Sequence, residues 1–303
     1  MELFESLFIF IKLLFRDVFI KNKKQFDRNQ SQAHFNLGNK FMEKKQLDRA
    51  KDEYIKSINF FPYNAEAQVN LGIITYHKSQ KDEAFKLFLK AYDIDPRSVK
   101  AIYWIGRLSY QQNKLNKAEK MLKKAIKYKS NFLEAYFYLG LTYDKKEMYE
   151  FAIKYLRKTL ELDPEWSESF IHLGKIHLKR GEHKLAIEML ENATTVMPFC
   201  AEAFTGLAEG YFETNQINKA LETIRQAKEI NPKCVETHYL LWKIYKQKGM
   251  DDLAKLEEKE ILKLNPSYEA TFQMNKDGIK VDPKQDAAVL NIFNPVFRFF
   301  KKI

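Results

Sequence analysis

The sequence predicts an all-α solenoid of stacked helical pairs, and three evenly spaced features predict it. Gly38 is followed by Gly72, Gly106, Gly140 and Gly174, then by Ala208 and Trp242, each step being 34 residues. Twelve residues after every member stands an alanine: Ala50, Ala84, Ala118, Ala152, Ala186, Ala220 and Ala254. Twelve beyond that comes a proline at Pro62, Pro96, Pro164, Pro198, Pro232 and Pro266, with Ser130 in the third slot. Self-similarity at a fixed period of this length marks a repeat architecture.

Each element of one copy follows from its residues. Phe35, Leu37 and Phe41, then Leu47, Ala50, Tyr54 and Ile58, fall at helical intervals on either side of a break near Lys44–Gln46. This spacing predicts two helices of about a dozen residues per copy. An aliphatic residue precedes each member of the glycine series: Leu37, Leu71, Ile105, Leu139, Leu173, Leu207 and Leu241. A mid-helix glycine costs about 1 kcal/mol against alanine. Small residues at the glycine and alanine slots let paired backbones approach, and the lost propensity returns as packing contact. The proline cannot continue a helix and ends the second one. These signature residues are therefore structural.

Seven copies in phase, without insertion or deletion over residues 31–268, resemble the tetratricopeptide repeat (TPR) family. Their expected bounds are 31–64, 65–98, 99–132, 133–166, 167–200, 201–234 and 235–268. The resemblance implies a right-handed superhelical solenoid whose first helices line a concave groove, with positions 2, 5, 6, 9, 12 and 13 of each copy pointing inward. Carried onto this chain, Tyr103, Trp104, Arg107, Tyr110, Phe137 and Tyr138 form an expected hot spot for a peptide or helix. Some TPR domains grip a C-terminal carboxylate with a five-residue clamp. Asn39, Asn70 and Lys100 match that pattern, but Phe35 and Trp104 replace two of its charges. Position 2 is acidic at Glu66, Glu134, Glu168, Glu202 and Glu236, a row that favours a basic or neutral peptide.

Composition narrows the function classes. The 303 residues carry a formal charge of +11, which raises the question of nucleic acid. Only nine of the 51 basic residues are arginine, the residue suited to bidentate phosphate or guanine recognition, so nucleic acid is not the expected partner. The excess concentrates in residues 99–132, where nine basic side chains meet Glu119 alone; a solvated helix face and an anionic surface are both consistent with this. Cys200 and Cys234 occupy equivalent slots in neighbouring copies, too far apart for a disulfide. No metal-ligand spacing, phosphate loop, nucleophile elbow or kinase signature occurs. The expectation is no enzyme, no metal and no cofactor.

The ends differ from the repeats. Residues 1–30 open with an apolar amphipathic helix in which Phe4, Leu7, Phe8, Ile11, Leu14, Phe15 and Phe19 share one half, followed by Lys21, Lys23, Lys24 and Arg28. About −4 to −8 kcal/mol from its apolar residues is nearly cancelled by Lys12, Arg16, Asp17 and Glu5, so a span is marginal. An in-plane membrane anchor and docking on protein, its own or a neighbour's, are the other readings. Residues 269–303 hold an expected solvating helix, a turn-rich linker and an aromatic tail with Phe293, Phe297, Phe299 and Phe300.

The expected function is a non-catalytic scaffold or adaptor in a larger, bacterial assembly. It binds a peptide or protein in its groove, in the cytoplasm at the inner face of a membrane. Self-assembly through the N-terminal helix and a regulatory subunit of an enzyme complex are the alternatives.

Overall fold

The computed structural model describes the backbone of residues 2–269 and Phe272, with side chains at Arg16 and from Ile20 onward. The apolar face at Phe4 to Phe19 and the tail beyond Phe272 lie outside the described side chains. The described residues form fourteen α-helices and one short 3-10 turn. The first pair is α1 (Glu2–Glu43) and α2 (Leu47–Phe60). Then follow α3 (Ala65–His77) with α4 (Lys81–Ile94), α5 (Val99–Gln111) with α6 (Leu115–Tyr128), and α7 (Leu133–Lys145) with α8 (Tyr149–Leu162). After these come α9 (Ser167–Lys179) with α10 (His183–Val196), α11 (Ala201–Glu213) with α12 (Ile217–Ile230), and α13 (Val235–Gln247) with α14 (Asp251–Leu264). Two compact units divide the chain, Met1–Lys158 and Thr159–Ile303. Helix α1 runs through the basic flank and into the first pair without a break. No helix among the described residues is long and apolar enough to cross a membrane.

The glycine series is explained by what lies opposite it. A Cβ on Gly38 would sit 2.6 Å from the Tyr54 ring, and one on Gly72 2.7 Å from Phe88. On Gly106 and Gly140 it would meet Leu122 and Leu156 at 2.8 and 2.7 Å, and on Gly174 it would fall on Leu190. In each case the intruder stands sixteen residues later, on the partner helix. Tyr54, Phe88, Leu122, Leu156 and Leu190 are fully buried, as are all seven alanines of the second series. The last pair departs: Glu258 takes the intruder's slot, Trp242 replaces glycine, and its ring stacks at 5.6 Å on Tyr239 and meets Phe272 at 5.1 Å. Phe272 itself is buried against Tyr239 and Ile261 and covers the end of the second unit.

Both turns of the repeat are written into backbone preferences. The residue that begins the bend between paired helices is left-handed throughout: Lys45, Ser79, Asn113, Glu147, Gly181, Asn215 and Gly249, at φ between 56° and 72°. The following amide reaches back five residues, as in Gln46 N–H to Phe41 O at 2.9 Å, which satisfies helix-terminal carbonyls. The second helix ends in extended backbone at Phe61, Asp95, Met197, Asn231 and Asn265, each directly before a proline. Proline disfavours the α region for the residue it follows. Lys129 adopts the same conformation (φ −138°) before Ser130, so proline reinforces this stop without being required for it.

One aliphatic slot departs from expectation. Leu71, Ile105, Leu139, Leu173, Leu207 and Leu241 are all buried, whereas Leu37 is 40% exposed. That slot faces the preceding pair, and the first pair has none.

The first and last pairs share a polar device. His34 Nδ1 lies 2.6 Å from Glu53 Oε2, and His238 Nδ1 lies 2.5 Å from Glu257 Oε2, at equivalent repeat positions. The intervening copies have no such pair; the third and fifth place apolar residues there, Ile102 with Met121 and Phe170 with Met189. The Glu257 bond raises the His238 pKa despite burial. Burial pushes Glu257 up, but hydrogen bonds from His238 and Lys228 outweigh it and hold it below the usual range. A raised histidine stabilises fully below its unfolded pKa of about 6.5 and ceases to do so as pH rises through the folded value. The lowered glutamate stabilises above about pH 4.3 and is lost as pH falls.

Three outcomes follow for urea or thermal unfolding. Gly174→Ala destabilises by about 1–2 kcal/mol, because overpacking against Leu190 exceeds the gain of about 1 kcal/mol in helix propensity. Glu147→Gly stabilises by about 0.5–1 kcal/mol, because a left-handed non-glycine residue is relieved. The deficit of His238→Gln against the natural chain is largest near pH 5.5 and shrinks as pH climbs past about 6.5; a deficit that does not change with pH would contradict the assignment.

Candidate functional site

In the first unit the aromatic residues expected in the groove separate into a floor and a surface. Tyr103, Trp104 and Phe137 are buried. Trp104 lies parallel to Phe88 at 5.2 Å and meets Tyr76 at 4.9 Å, while Tyr103 packs on Phe132 at 4.9 Å. Burial pushes the Tyr103 phenol well above its ordinary pKa. The structure places these rings largely in the protein's own packing, where they support the residues that reach solvent. Those are Arg107, Tyr110 and Tyr138, joined by Tyr76, all half-buried.

Arg107, one turn after Trp104 on α5, is held by rings. Its guanidinium carbon sits 4.7 Å from the Trp104 centroid, 5.0 Å from Tyr138 and 5.1 Å from Tyr76. Such cation–π contacts contribute about 0.5–2 kcal/mol each. Burial works against its charge, but Tyr103, Tyr138 and Tyr76 more than offset this and its pKa is raised. Tyr138 meets Tyr110 edge-on at 5.8 Å, and the Lys145 ammonium sits 4.3 Å over Tyr110.

The three clamp-like residues divide. Asn39 and Asn70 are brought together: Asn70 Nδ2 donates to Asn39 Oδ1 at 3.0 Å, and Tyr54 Oη donates to the same oxygen at 2.7 Å. Part of their polar capacity is thus spent on joining the first two pairs. Lys100 is exposed. The basic excess of residues 99–132 lies largely on α6 and is partly engaged. Hydrogen bonds from Lys123 and Lys146 hold the Glu119 carboxyl down to about 2, and Lys124 caps Tyr92 at 4.5 Å.

The second unit contains a concavity that the sequence reading missed. It has a volume of about 810 Å³ and is lined mainly from the first helices α9, α11 and α13. Thr205 and Gly206, both buried, are among the residues that line it. Their slots carry Tyr103 and Trp104 in the third copy, and Phe137 and Tyr138 in the fourth. Small side chains here leave open the space that rings occupy elsewhere, and Gly206 was the available signal. The walls pair their charges: Lys175 with Glu202, and Lys243 with Glu213 at 3.7 Å. Burial raises the Glu202 pKa, yet the Lys175 bond lowers it overall. Glu236, from the expected acidic row, also lines the space, beside Cys234. Cys200 and Cys234 are both free.

Comparisons agree with this architecture. Two family models described as tetratricopeptide repeat match residues 133–165, and 76–140 with 177–244, together more than half of the chain. No curated protein matches the sequence. Among solved structures, that reported for the functional characterization of Pseudomonas aeruginosa pilF superposes with a TM-score of 0.62 at 18% identity, covering 70% of this chain and 97% of that one. A tetratricopeptide repeat protein from Parabacteroides merdae gives 0.60 at 18%, covering 78% and 94%. YrrB, described as a TPR protein with an unusual peptide-binding site, gives 0.51 at 22%, covering 61% and 96%. At these identities the likeness concerns the fold.

Proposed function

Because the chain belongs to the tetratricopeptide repeat family, we propose that it is a non-catalytic scaffold that holds a peptide or protein segment against the faces of its first helices. The observation that carries this reading is the concavity of about 810 Å³ on α9, α11 and α13, opened by Thr205 and Gly206. Its size suits a peptide side chain or a helical turn, and its walls pair their own charges, so an occupant need not supply a counter-ion for them. YrrB offers a precedent for peptide binding on this fold. The first unit carries its own candidate surface of Arg107, Tyr110 and Tyr138, with Lys100 at its margin.

The same proposal sets the protein at the cytoplasmic face of a membrane, as part of an assembly. The support is sequence: an apolar helix followed by Lys21, Lys23, Lys24 and Arg28, a pattern that suits an interfacial anchor on an anionic surface.

Gly206→Phe fills the cavity in a slot where sister copies carry rings, and a Cβ there meets the end of the Leu190 side chain, at 3.1 Å from Cδ2 and 3.3 Å from Cδ1. The variant is expected to fold normally by circular dichroism and to lose the proteins that co-purify with the full chain. Retention of the same proteins by the folded variant would refute the cavity as the binding surface. In fractionated cells, the full chain is expected to stay with membranes through a carbonate wash, and a chain lacking residues 1–25 to be soluble. Two soluble forms would remove the membrane from the account.

A further inference from the structure

We propose that Arg107 is a receptor for a carboxylate carried by the segment that lies on the first-helix face of the first unit. The inference rests on the scaffold reading and adds the chemical class of the ligand. Three observations meet at this residue. Its guanidinium is fixed by three aromatic faces, those of Trp104, Tyr138 and Tyr76. It has no carboxylate within ion-pair distance among the described residues, and its Nε–H is buried without a hydrogen-bond partner. The buried Tyr103 phenol also acts on the guanidinium by a side-chain hydrogen bond and helps hold its charge, so Tyr103 is the neutral protein group with which a carboxylate would share the fork.

A half-buried guanidinium without an anion is an uncommon arrangement, since buried charges are normally paired. The surrounding rings hold its plane, and an immobilised planar fork loses little freedom when it accepts a carboxylate bidentately. The charges around it allow such a ligand. Lys145 lies over Tyr110, the ring next to Tyr138, and Lys100 stands exposed one helical turn or more before Arg107 on α5. Against them stand Glu134, which acts on Tyr103, and Asp144, which acts on Tyr110; neither is paired with Arg107. The site also differs from the clamp-like set Asn39, Asn70 and Lys100, which does not include Arg107. A purely structural role, propping Trp104 and the tyrosines, predicts the same rings but no response to added carboxylate.

The test is an NMR titration of the full-length chain that follows the arginine Nε–H signals, of which only nine exist. The Arg107 signal is assigned by its absence from Arg107→Lys. The probes are N-acetyl-phenylalanine and its amide. The Arg107 signal is expected to move with the acid and not with the amide. Two peptides then separate the sources: Ac-Phe-Gln-Phe with a free C-terminus, and Ac-Phe-Glu-Phe-amide, in which only the side chain is acidic. Binding of either one supports the receptor and identifies which carboxylate it takes. In Arg107→Lys the preferred peptide is expected to bind about tenfold more weakly or worse, while circular dichroism shows the chain still folded under the titration conditions, with a urea midpoint lowered by the weakened ring contacts. An Arg107 signal unmoved by any carboxylate, or moved equally by the amide, overturns the proposal. That result leaves the scaffold reading standing if Gly206→Phe still abolishes partner capture, so the two can fail separately.

Discussion

The structure depends on one steric fact repeated along the chain: within a helical pair, the side chain at the twenty-fourth position of the copy is driven into the backbone of the first helix. Tyr54, Phe88, Leu122, Leu156 and Leu190 occupy space that a Cβ on the facing glycine would need. That approach sets how close each pair packs, and the buried alanine four residues earlier on the second helix extends it. A left-handed residue between the helices and an extended residue after them return the chain to the same place every 34 residues. Where the approach is given up, at Trp242, a different ring contact with Phe272 takes over and covers an end.

This constraint separates the residues that build from those that bind. Intra-pair contacts consume the glycine, alanine and twenty-fourth positions, and from the second copy onward inter-pair contacts consume the aliphatic position before the glycine slot. What remains on the first helices is free to vary. In the first unit it carries rings and a cation; in the second it carries small residues and paired charges around open space. One backbone plan thus presents two chemically distinct surfaces, which suits a scaffold whose partner offers more than one kind of group.

The fold was legible because its signals are periodic: Gly38 to Gly174, the seven alanines and the six prolines identify the helical pair by themselves. The site was only partly legible. Tyr103, Trp104 and Phe137 sit at positions that face the groove in a generic copy. Whether a ring there lies on the surface or in the floor depends on the neighbouring copy, here on Phe88, Tyr76 and Phe132. The cavity left only a faint trace in the sequence, because its signal is the absence of large side chains at Thr205 and Gly206. The His238–Glu257 pair was invisible for a related reason. Nineteen residues separate its members, and a single copy gives no cue that the two side chains meet.

The central claim is that partners bind on the first-helix faces while the second helices serve mainly to pack. Site-specific photocrosslinking in cells tests it most directly, with a benzophenone side chain placed at Tyr110 or Glu209 on first helices and at Lys120 or Lys127 on α6. The account predicts discrete crosslinked products from Tyr110 and Glu209 and none from the lysine positions. Products from Lys120 and Lys127 alone would place binding on the opposite face and contradict it.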